Sequence, residues 1–358
     1  MGNDSTYQSG HKPMSYNDKD KVITACIDEL ISGFEFTSPA DLRPALAAKV
    51  KQMLDEGAQP SACTRLITST ADRVMELGID HALENLGPAP APWMFMVMGS
   101  EGRIEQTLRT DQDSAIVWKG DGDRDYFVKL GEIVSEGLNA AGFLFCNGNV
   151  MASNPKWVMS IDSWKRTFSG WVEEPDPMAI MQACIFFDFR CGYGAHSLES
   201  ELGSHISGLL GSQSELFFYH MAKNALSHSV PLGWFGRLNR SASSKLDVKK
   251  AMLPLTDHAR IYALSKGLKE RNTLERIRAL DEQKAYRGAD AHAAKKACEF
   301  MTGLRLRHQI ECIEKGNDSD NIIDPSAMPE STHKELIQCL KISKDLRQSI
   351  EINFRAGY

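Results

Sequence analysis

The sequence predicts an α+β fold in which a small mixed β-sheet lies between an N-terminal and a C-terminal helical domain. Apolar residues recur at spacings of three and four from about Val22 to Leu86 and again from about Leu198 onwards, which is typical of amphipathic helices. Between these segments, short apolar runs such as residues 93–98 have the length of buried strands. Three prolines and a glycine within residues 87–92 forbid a helix there and separate the two patterns.

The chain has 358 residues, which is long enough for two or three domains. We predict a disordered polar tail, a helical domain, a core built on a small sheet and a second helical domain, at residues 1–19, 20–88, 89–195 and 196–358. The tail lacks the apolar run of a signal peptide, and no run approaches the ~20 apolar residues of a membrane span. We therefore expect a cytoplasmic protein with no membrane partner.

The charge balance also restricts the function. A formal net charge of −6 argues against a protein whose main work is non-specific nucleic-acid binding, although a local basic groove is compatible with it. The eight cysteines form no C-x-x-C pair and no Cys/His group with zinc spacing. We therefore expect reduced thiols in a reducing compartment.

The predicted sheet core contains three strands. The first, residues 93–98, leads into a turn at 99–103 that opens a short helix. Residues 113–118 form the second strand, and residues 125–141 form a helix with apolar side chains on one face. The apolar run at residues 185–190 is predicted to be the third strand.

Three carboxylates are the candidate metal ligands. Because side chains at positions i and i+2 of a strand share a face, Asp111 and Asp113 point towards the same place. Two such carboxylates repel each other unless a cation lies between them, and oxygen ligands favour Mg²⁺ or Mn²⁺. Asp188 lies in the apolar third strand, where an unpaired aspartate is costly, so it is the candidate third ligand. The structural alternative is an Asp188–Arg190 ion pair on one face of that strand.

A Gly-Ser turn precedes the aspartate pair, and its Ser100 lies eleven residues before Asp111. Backbone amides at a helix start suit a phosphate, as does the hydroxyl of Ser100, and Gly99 lets the backbone approach closely. Nucleotidyl transfer requires this combination of a phosphate site and a metal site. D-x-D pairs also occur in metal-dependent glycosyltransferases and phosphohydrolases, so the pair alone does not define the reaction.

The segment Gly99-Ser-Glu-Gly-Arg-x-Glu-Gln-Thr-Leu-x-Thr-Asp-Gln-Asp113 resembles the signature of the DUF294 nucleotidyltransferases. That family belongs to the DNA polymerase β-like superfamily and is similar to the catalytic part of the PII-protein uridylyltransferase. Later blocks resemble the same family, among them Ile185–Arg190, Asp257–Arg260 and Leu304–Gln309. The resemblance covers roughly residues 20–350 and implies a mixed sheet flanked by helices.

The resemblance also implies roles for individual residues. Asp111 and Asp113 would be ligands of Mg²⁺ or Mn²⁺, and Asp188 would share one metal and act as, or orient, the base for the incoming hydroxyl. The implied nucleotide-binding residues are Gly99, Ser100, Arg103, Lys249 and Lys250. Of these, Arg103 either reaches a phosphate or pairs with Glu105, and one of the two lysines contacts the triphosphate.

The predicted function is Mg²⁺-dependent transfer of a nucleoside monophosphate from an NTP to an acceptor hydroxyl, with release of pyrophosphate. The sequence leaves the base and the acceptor open: a protein side chain, a small molecule and an RNA end all remain candidates. The alternative is a regulatory protein of the same fold that binds nucleotide without turnover.

Overall fold

The computed structural model describes residues 16–36, 40–212, 214–233, 237–239, 242 and 244–356. The α-helices of these residues are α1 (Tyr16–Leu30), α2 (Arg43–Asp55), α3 (Pro60–Leu86), α4 (Gly99–Gly102), α5 (Arg124–Ala140), α6 (Ile161–Glu173), α7 (Pro177–Phe186), α8 (His196–Ser212), α9 (Glu215–Leu226), α10 (Val248–Ser265), α11 (Thr273–Glu282), α12 (Ala291–Glu314) and α13 (Glu330–Asn353). The strands are β1 (Trp93–Val97), β2 (Ser114–Trp118), β3 (Val158–Ser160), β4 (Arg190–Gly194), β5 (Leu246–Asp247) and β6 (Ile322–Ile323). The predicted tail lies outside the described residues up to residue 15, and residues 16–19 already belong to α1.

The central sheet has four strands in the order β3-β2-β1-β4. Strand β1 is antiparallel to both β2 and β4, whereas β2 and β3 are parallel. The predicted α+β fold with a small mixed sheet is therefore confirmed. Strand β3 and the short β5–β6 pair were not predicted, because two or three residues carry too little periodicity to be recognised.

Both faces of this sheet are buried. Along β1, Met94 and Met96 belong to the apolar cluster that continues into α6 and the C-terminal helices, whereas Phe95 and Val97 pack with α2, α3 and α5. This alternation follows from the two-residue period of a strand. Because both faces are buried, all residues of β1 are apolar and the strand is an unbroken apolar run in the sequence.

The prediction of a strand over residues 185–190 is wrong. Residues 177–186 form α7, whose first turn is capped by the Asp176 carboxylate accepting from the Ala179 amide, with Pro177 at its start. The strand β4 begins only at Arg190 and extends to Gly194. A buried helix and a buried strand give the same short apolar run, and the Asp-Pro helix start was the signal that separates them.

Three loops converge at one end of the sheet. Val97 of β1 lies between Ser114 of β2 and Arg190 of β4, so the segments 98–103, 111–113 and 187–189 gather beside one another. Helices of the C-terminal half cover this end. Helix α12 also packs against α2 and α3, so the two predicted helical segments are in contact. Among the described residues, no helix combines the length and the apolar character needed to cross a membrane.

Candidate active site

A cavity of about 610 Å³ occupies this end of the sheet. Gly99, Ser100, Asp111 and Asp113 line it from the sheet, and residues of α7, α10, α11 and α12 line it from the C-terminal helices. The structure thus brings the predicted Gly-Ser turn and both aspartates of the predicted pair to a single cavity.

The side chain between the two aspartates explains their orientation. Gln112 points away from the cavity and donates from Nε2 to the carbonyl oxygens of Ser135 and Phe143, at 2.9 and 2.8 Å. The backbone is held on the other side, where the Met98 amide donates to the Asp113 carbonyl at 2.9 Å. Because alternate side chains point to opposite sides, Asp111 and Asp113 both face the cavity.

The Asp113 carboxylate packs directly on Gly99. Gly99 has a φ of +55°, and a Cβ at this position would lie 2.2 Å from Asp113 Oδ2. Both the backbone conformation and the space therefore require glycine. Helix α4, which starts here, is only one turn long, so its dipole alone is a weak basis for the predicted phosphate contact.

The negative charges of Asp111 and Asp113 repel each other, and burial makes the charged form of Asp113 less favourable. Burial, followed by the negative charge of Asp111, raises the pKa of Asp113 to about 7. The Cys146 thiol donates to Asp113 Oδ1 at 3.6 Å, and the Lys249 ammonium partly opposes the rise in that pKa. Within the described ranges, no lysine, arginine or histidine forms an ion pair with Asp111 or Asp113. Two converging carboxylates without a cationic partner are suited to a divalent ion.

Asp188 lies in a different environment. Its side chain is fully buried, and its Oδ2 accepts from Arg103 Nη1 at 2.7 Å and from Arg260 Nη2 at 2.9 Å. Its Oδ1 lies 2.7 Å from Arg276 Nη2. Burial acts to raise the pKa of Asp188, but the charges of Arg260, Arg276 and Arg103 outweigh it and hold that pKa well below its usual range.

These contacts bear on both hypotheses for Asp188, namely the third metal ligand and the ion pair with Arg190. The expected ion pair with Arg190 does not form, because Arg190 instead bonds Asp72 at 2.7 Å. Asp188 is also not among the residues that line the cavity, and three arginines already surround its carboxylate. This arrangement does not support the predicted metal-ligand role, because an ion would have to displace ion pairs of 2.7–2.9 Å.

The three cationic residues predicted to bind nucleotide, Arg103, Lys249 and Lys250, occupy different positions relative to the cavity. Arg103 lines the cavity but pairs with Glu105 at 2.8 Å, which is the second of its two predicted alternatives, in addition to Asp188. Lys249 lines the cavity. Lys250 does not line it and lies 3.7 Å from Asp247.

Sequence reasoning missed two arginines of the cavity wall, Arg109 and Arg305. Arg305 donates to Thr107 Oγ1 and Asn321 Oδ1, both at 3.1 Å, and burial lowers its pKa to about 10. Arg109 donates to the Ser319 carbonyl oxygen. In the part of the chain that the structure describes, neither arginine has a carboxylate within ion-pair distance, so both are available to an anion in the cavity.

Arg276 was also missed, although the sequence contains a signal for it. Thr273, Arg276, Ile277 and Leu280 follow the spacing of one helix face, and all four are buried in α11. An arginine on an otherwise apolar face requires a buried partner, since an unpaired charge there is costly. The sequence could not identify that partner as Asp188, which lies in a distant part of the chain.

Comparison with known families agrees with this geometry. The family model described as "Putative nucleotidyltransferase DUF294" matches residues 45–178, which contain the Gly-Ser turn and the aspartate pair. The model described as "Putative nucleotidyltransferase substrate binding domain" matches residues 215–354, which contain α9 to α13. Asp188 lies between the two matched ranges. No curated protein matches the chain. From the two matches together, the chain belongs to the DUF294 family of nucleotidyltransferases.

Proposed function

We propose that this protein transfers a nucleoside monophosphate from an NTP to an acceptor hydroxyl, with release of pyrophosphate, in the cavity at the end of the sheet. The observation that carries the proposal is the convergence of Asp111 and Asp113 on the Gly99-Ser100 turn, where no cationic side chain of the described residues forms an ion pair with either aspartate. Family membership supports nucleotidyl transfer in general. The metal requirement, the NTP and the acceptor hydroxyl are the finer parts of the proposal.

Asp111 and Asp113 would hold a divalent cation, Mg²⁺ or Mn²⁺. The residues fit such an ion because both donors are carboxylate oxygens, and because Gly99 leaves open the space that a Cβ would fill beside Asp113. When bound, the ion supplies charge neutralisation for the phosphates and polarises the α-phosphate.

The remaining phosphate charge would be balanced by side chains of this chain. Ser100 offers a hydroxyl donor at the start of α4, beside the aspartates. Lys249, Arg109 and Arg305 line the same cavity from α10, the loop before Asp111 and α12. Hydrogen bonds from charged donors to phosphate oxygens are the strong ones, so these groups would orient the triphosphate rather than only attract it.

The C-terminal helices would bind the remainder of the substrates. Met181 and Ile185 of α7, with Met252 and Leu253 of α10, give the cavity an apolar wall beside its charged floor. An apolar wall suits the face of a base or the apolar part of an acceptor. This assignment agrees with the family description of the second matched range as a substrate binding domain. We place the activity in the cytoplasm, because all eight cysteines are free thiols.

Nucleotide binding without turnover is the second candidate function. It is favoured by one observation, namely that the arginines around Asp188 leave the aspartate pair without a third carboxylate from that position. A protein of this kind would bind Mg²⁺ and NTP in the same cavity and release no pyrophosphate.

The test is incubation of the purified chain with Mg²⁺ and each α-labelled NTP in turn, with and without an extract of its native cell. The expected result is label transfer and pyrophosphate release by the wild type. The variants Asp111→Asn and Asp113→Asn should show neither. Binding of Mg²⁺ and NTP without transfer from any NTP would support the second candidate instead.

A further inference from the structure

A second group of candidate metal ligands lies outside the cavity, on helix α12 and the segment that follows it. His308 and Cys312 are four residues apart on α12, so their side chains lie one turn apart on the same face. Asp320 approaches them from the following loop. His308 Nε2 lies 2.6 Å from Asp320 Oδ1 and 3.6 Å from Cys312 Sγ. All three ligand atoms lie within 4.8 Å of one another.

The group is accessible and partly fixed in place. The side chain of His308 is 22% exposed, that of Asp320 is 54% exposed, and Cys312 is half-buried. The amide of Ile322 donates to Asp320 Oδ1 at 2.8 Å, which holds the carboxylate towards the helix. An ion could therefore enter from solvent and keep a water molecule in a fourth position.

The donor set selects the kind of ion. A thiolate, an imidazole and a carboxylate together suit Zn²⁺, whereas Mg²⁺ and Ca²⁺ prefer oxygen ligands alone. Tetrahedral zinc with ordinary bond lengths separates sulfur and nitrogen ligands by about 3.6 Å, close to the distance between the His308 and Cys312 atoms. The nitrogen and oxygen ligands would be about 3.4 Å apart, so the exposed Asp320 carboxylate would move outwards by somewhat less than 1 Å.

A comparable group elsewhere in the chain differs in its partners. Cys191, His196 and Glu199 also bring three ligand atoms together. There, however, Arg271 already neutralises Glu199 at 2.6 Å, and the Cys191 thiol donates to the Tyr193 carbonyl oxygen at 3.3 Å. No arginine or lysine pairs with Asp320 in the described ranges, so its charge is available to an ion. The Cys191 group is therefore a matched control.

The segment that Asp320 belongs to, residues 316–323, also contacts the cavity wall. The guanidinium of Arg109 donates to the Ser319 carbonyl oxygen. Gln309, next to His308 on α12, accepts from the Arg109 amide at 3.3 Å and donates to Asn321 Oδ1 at 3.0 Å. Strand β6, at the end of the segment, pairs with β5, which immediately precedes α10.

We propose that His308, Cys312 and Asp320 bind one Zn²⁺ ion, and that this ion fixes residues 316–323 against α12. Binding displaces the Cys312 thiol proton to solvent, and the resulting thiolate becomes a ligand. Because the segment holds Arg109 and the β5–β6 pair, the ion stabilises one arrangement of the cavity wall. This site is independent of the proposed transferase activity, and its failure would leave that proposal intact.

The test uses the full chain, reduced and freed of metal, with Co²⁺ as a spectroscopic probe. We expect a thiolate-to-cobalt absorption band that saturates at about one equivalent and disappears when Zn²⁺ is added. Cys312→Ser abolishes the band, and His308→Ala weakens binding by at least about tenfold. Cys191→Ser and Cys146→Ser keep the band. Absence of the band in the wild type, or its survival in Cys312→Ser, would overturn the proposal.

Limited proteolysis tests the structural half of the proposal. Lys315 and Gly316 are exposed at the end of α12, so trypsin can cleave after Lys315. We expect Zn²⁺ to slow this cleavage in the wild type and to leave its rate unchanged in Cys312→Ser. Equal cleavage rates of the wild type with and without Zn²⁺ would contradict the fixing role.

Discussion

Two carboxylate sites border the same end of the sheet, and their surroundings are opposite. Asp111 and Asp113 face the cavity, and in the described part of the chain no cationic side chain forms an ion pair with either. Asp188 is fully buried behind the cavity wall, with ion pairs to Arg103, Arg260 and Arg276. The first site has an excess of negative charge that a metal ion can neutralise. The second is neutralised by protein groups.

This difference indicates that the two carboxylate sites have different roles, one in binding and the other in positioning side chains. Two of the arginines paired with Asp188, Arg103 and Arg260, also line the cavity, so Asp188 fixes their positions from behind. Asp257 supports the same arrangement through an ion pair with Arg260 at 2.8 Å. We infer that Asp111 and Asp113 act on the substrate, whereas Asp188 acts through arginines. Substitutions at the two sites should therefore have different consequences.

The largest effect is expected for the double substitution Asp111→Asn/Asp113→Asn. Transfer should fall by at least about 10⁴-fold, because both carboxylates that we propose as metal ligands are lost and each would contribute several kcal/mol. The metal-free variant should unfold at the same temperature as the wild type or higher, because a pair of like charges is removed. Transfer rates and a thermal unfolding curve check the two halves, and a destabilised variant would contradict the account.

Asp188→Asn should instead lower the free energy of unfolding, by roughly 3–5 kcal/mol, because it removes the carboxylate paired with Arg276 and one of the two carboxylates paired with each of Arg103 and Arg260. Urea unfolding measures the change. Asp72→Asn is the matched control, because it breaks a single, less buried ion pair with Arg190 and should cost less. An Asp188→Asn variant with wild-type stability and lost metal binding would show that Asp188 is a metal ligand after all.

The pH dependence of this contribution has a defined sign. The pKa of Asp188 is lower in the folded state than in the unfolded state, so its contribution is fully present above the unfolded value of about 3.9. It is lost only as the pH falls towards the lower folded value. The difference in unfolding free energy between wild type and Asp188→Asn should therefore vary by no more than about a few tenths of a kcal/mol from pH 5 to 8. A difference that grows steadily across that range would contradict the assignment.

Gly99→Ala should reduce transfer by about 100-fold, since a displacement of about 1 Å at a reacting centre has this effect. The added Cβ would lie 2.2 Å from Asp113 Oδ2, so the carboxylate must move. Gly203→Ala on α8 is a control, because nothing lies within 4 Å of its Cβ position. Steady-state rates of the two variants make the comparison, and an active Gly99→Ala would exclude the close packing of Asp113 from the mechanism.

The smallest effect concerns the two neighbouring lysines. Lys249→Ala should raise the KM for NTP by about tenfold, because it removes a charged donor from the cavity. Lys250→Ala should leave the KM unchanged, because Lys250 lies outside the cavity near Asp247. Equal effects of the two substitutions would show that only the general charge of α10 matters.

The sequence predicted what depends on neighbouring residues. Asp111 and Asp113 both line the cavity, as the alternation of side chains along an extended segment predicts, although they precede β2, and the apolar run at residues 93–98 was correctly predicted to be a buried strand. The run at 185–190 misled the prediction, because a buried helix and a buried strand are equally apolar there.

What the sequence could not predict are partners far apart in the chain. Asp188 is separated by 85 positions from Arg103 and by 72 from Arg260, and no local pattern pairs them. The same reason hid Arg305, whose bonds reach Thr107 across 198 positions. In this protein, local periodicity therefore identified the metal-binding candidates, whereas the positioning residues emerged only from tertiary packing.

Mn²⁺ binding in the presence of a non-hydrolysable NTP analogue tests the central claim most directly, because it does not require knowledge of the acceptor. Electron paramagnetic resonance of free Mn²⁺ would be followed as wild type, Asp111→Asn/Asp113→Asn and Asp72→Asn are added. The account predicts that wild type and Asp72→Asn bind Mn²⁺ with the nucleotide, and that the double variant does so at least tenfold more weakly. Unchanged Mn²⁺ binding by a folded double variant would contradict the claim that Asp111 and Asp113 form the metal site.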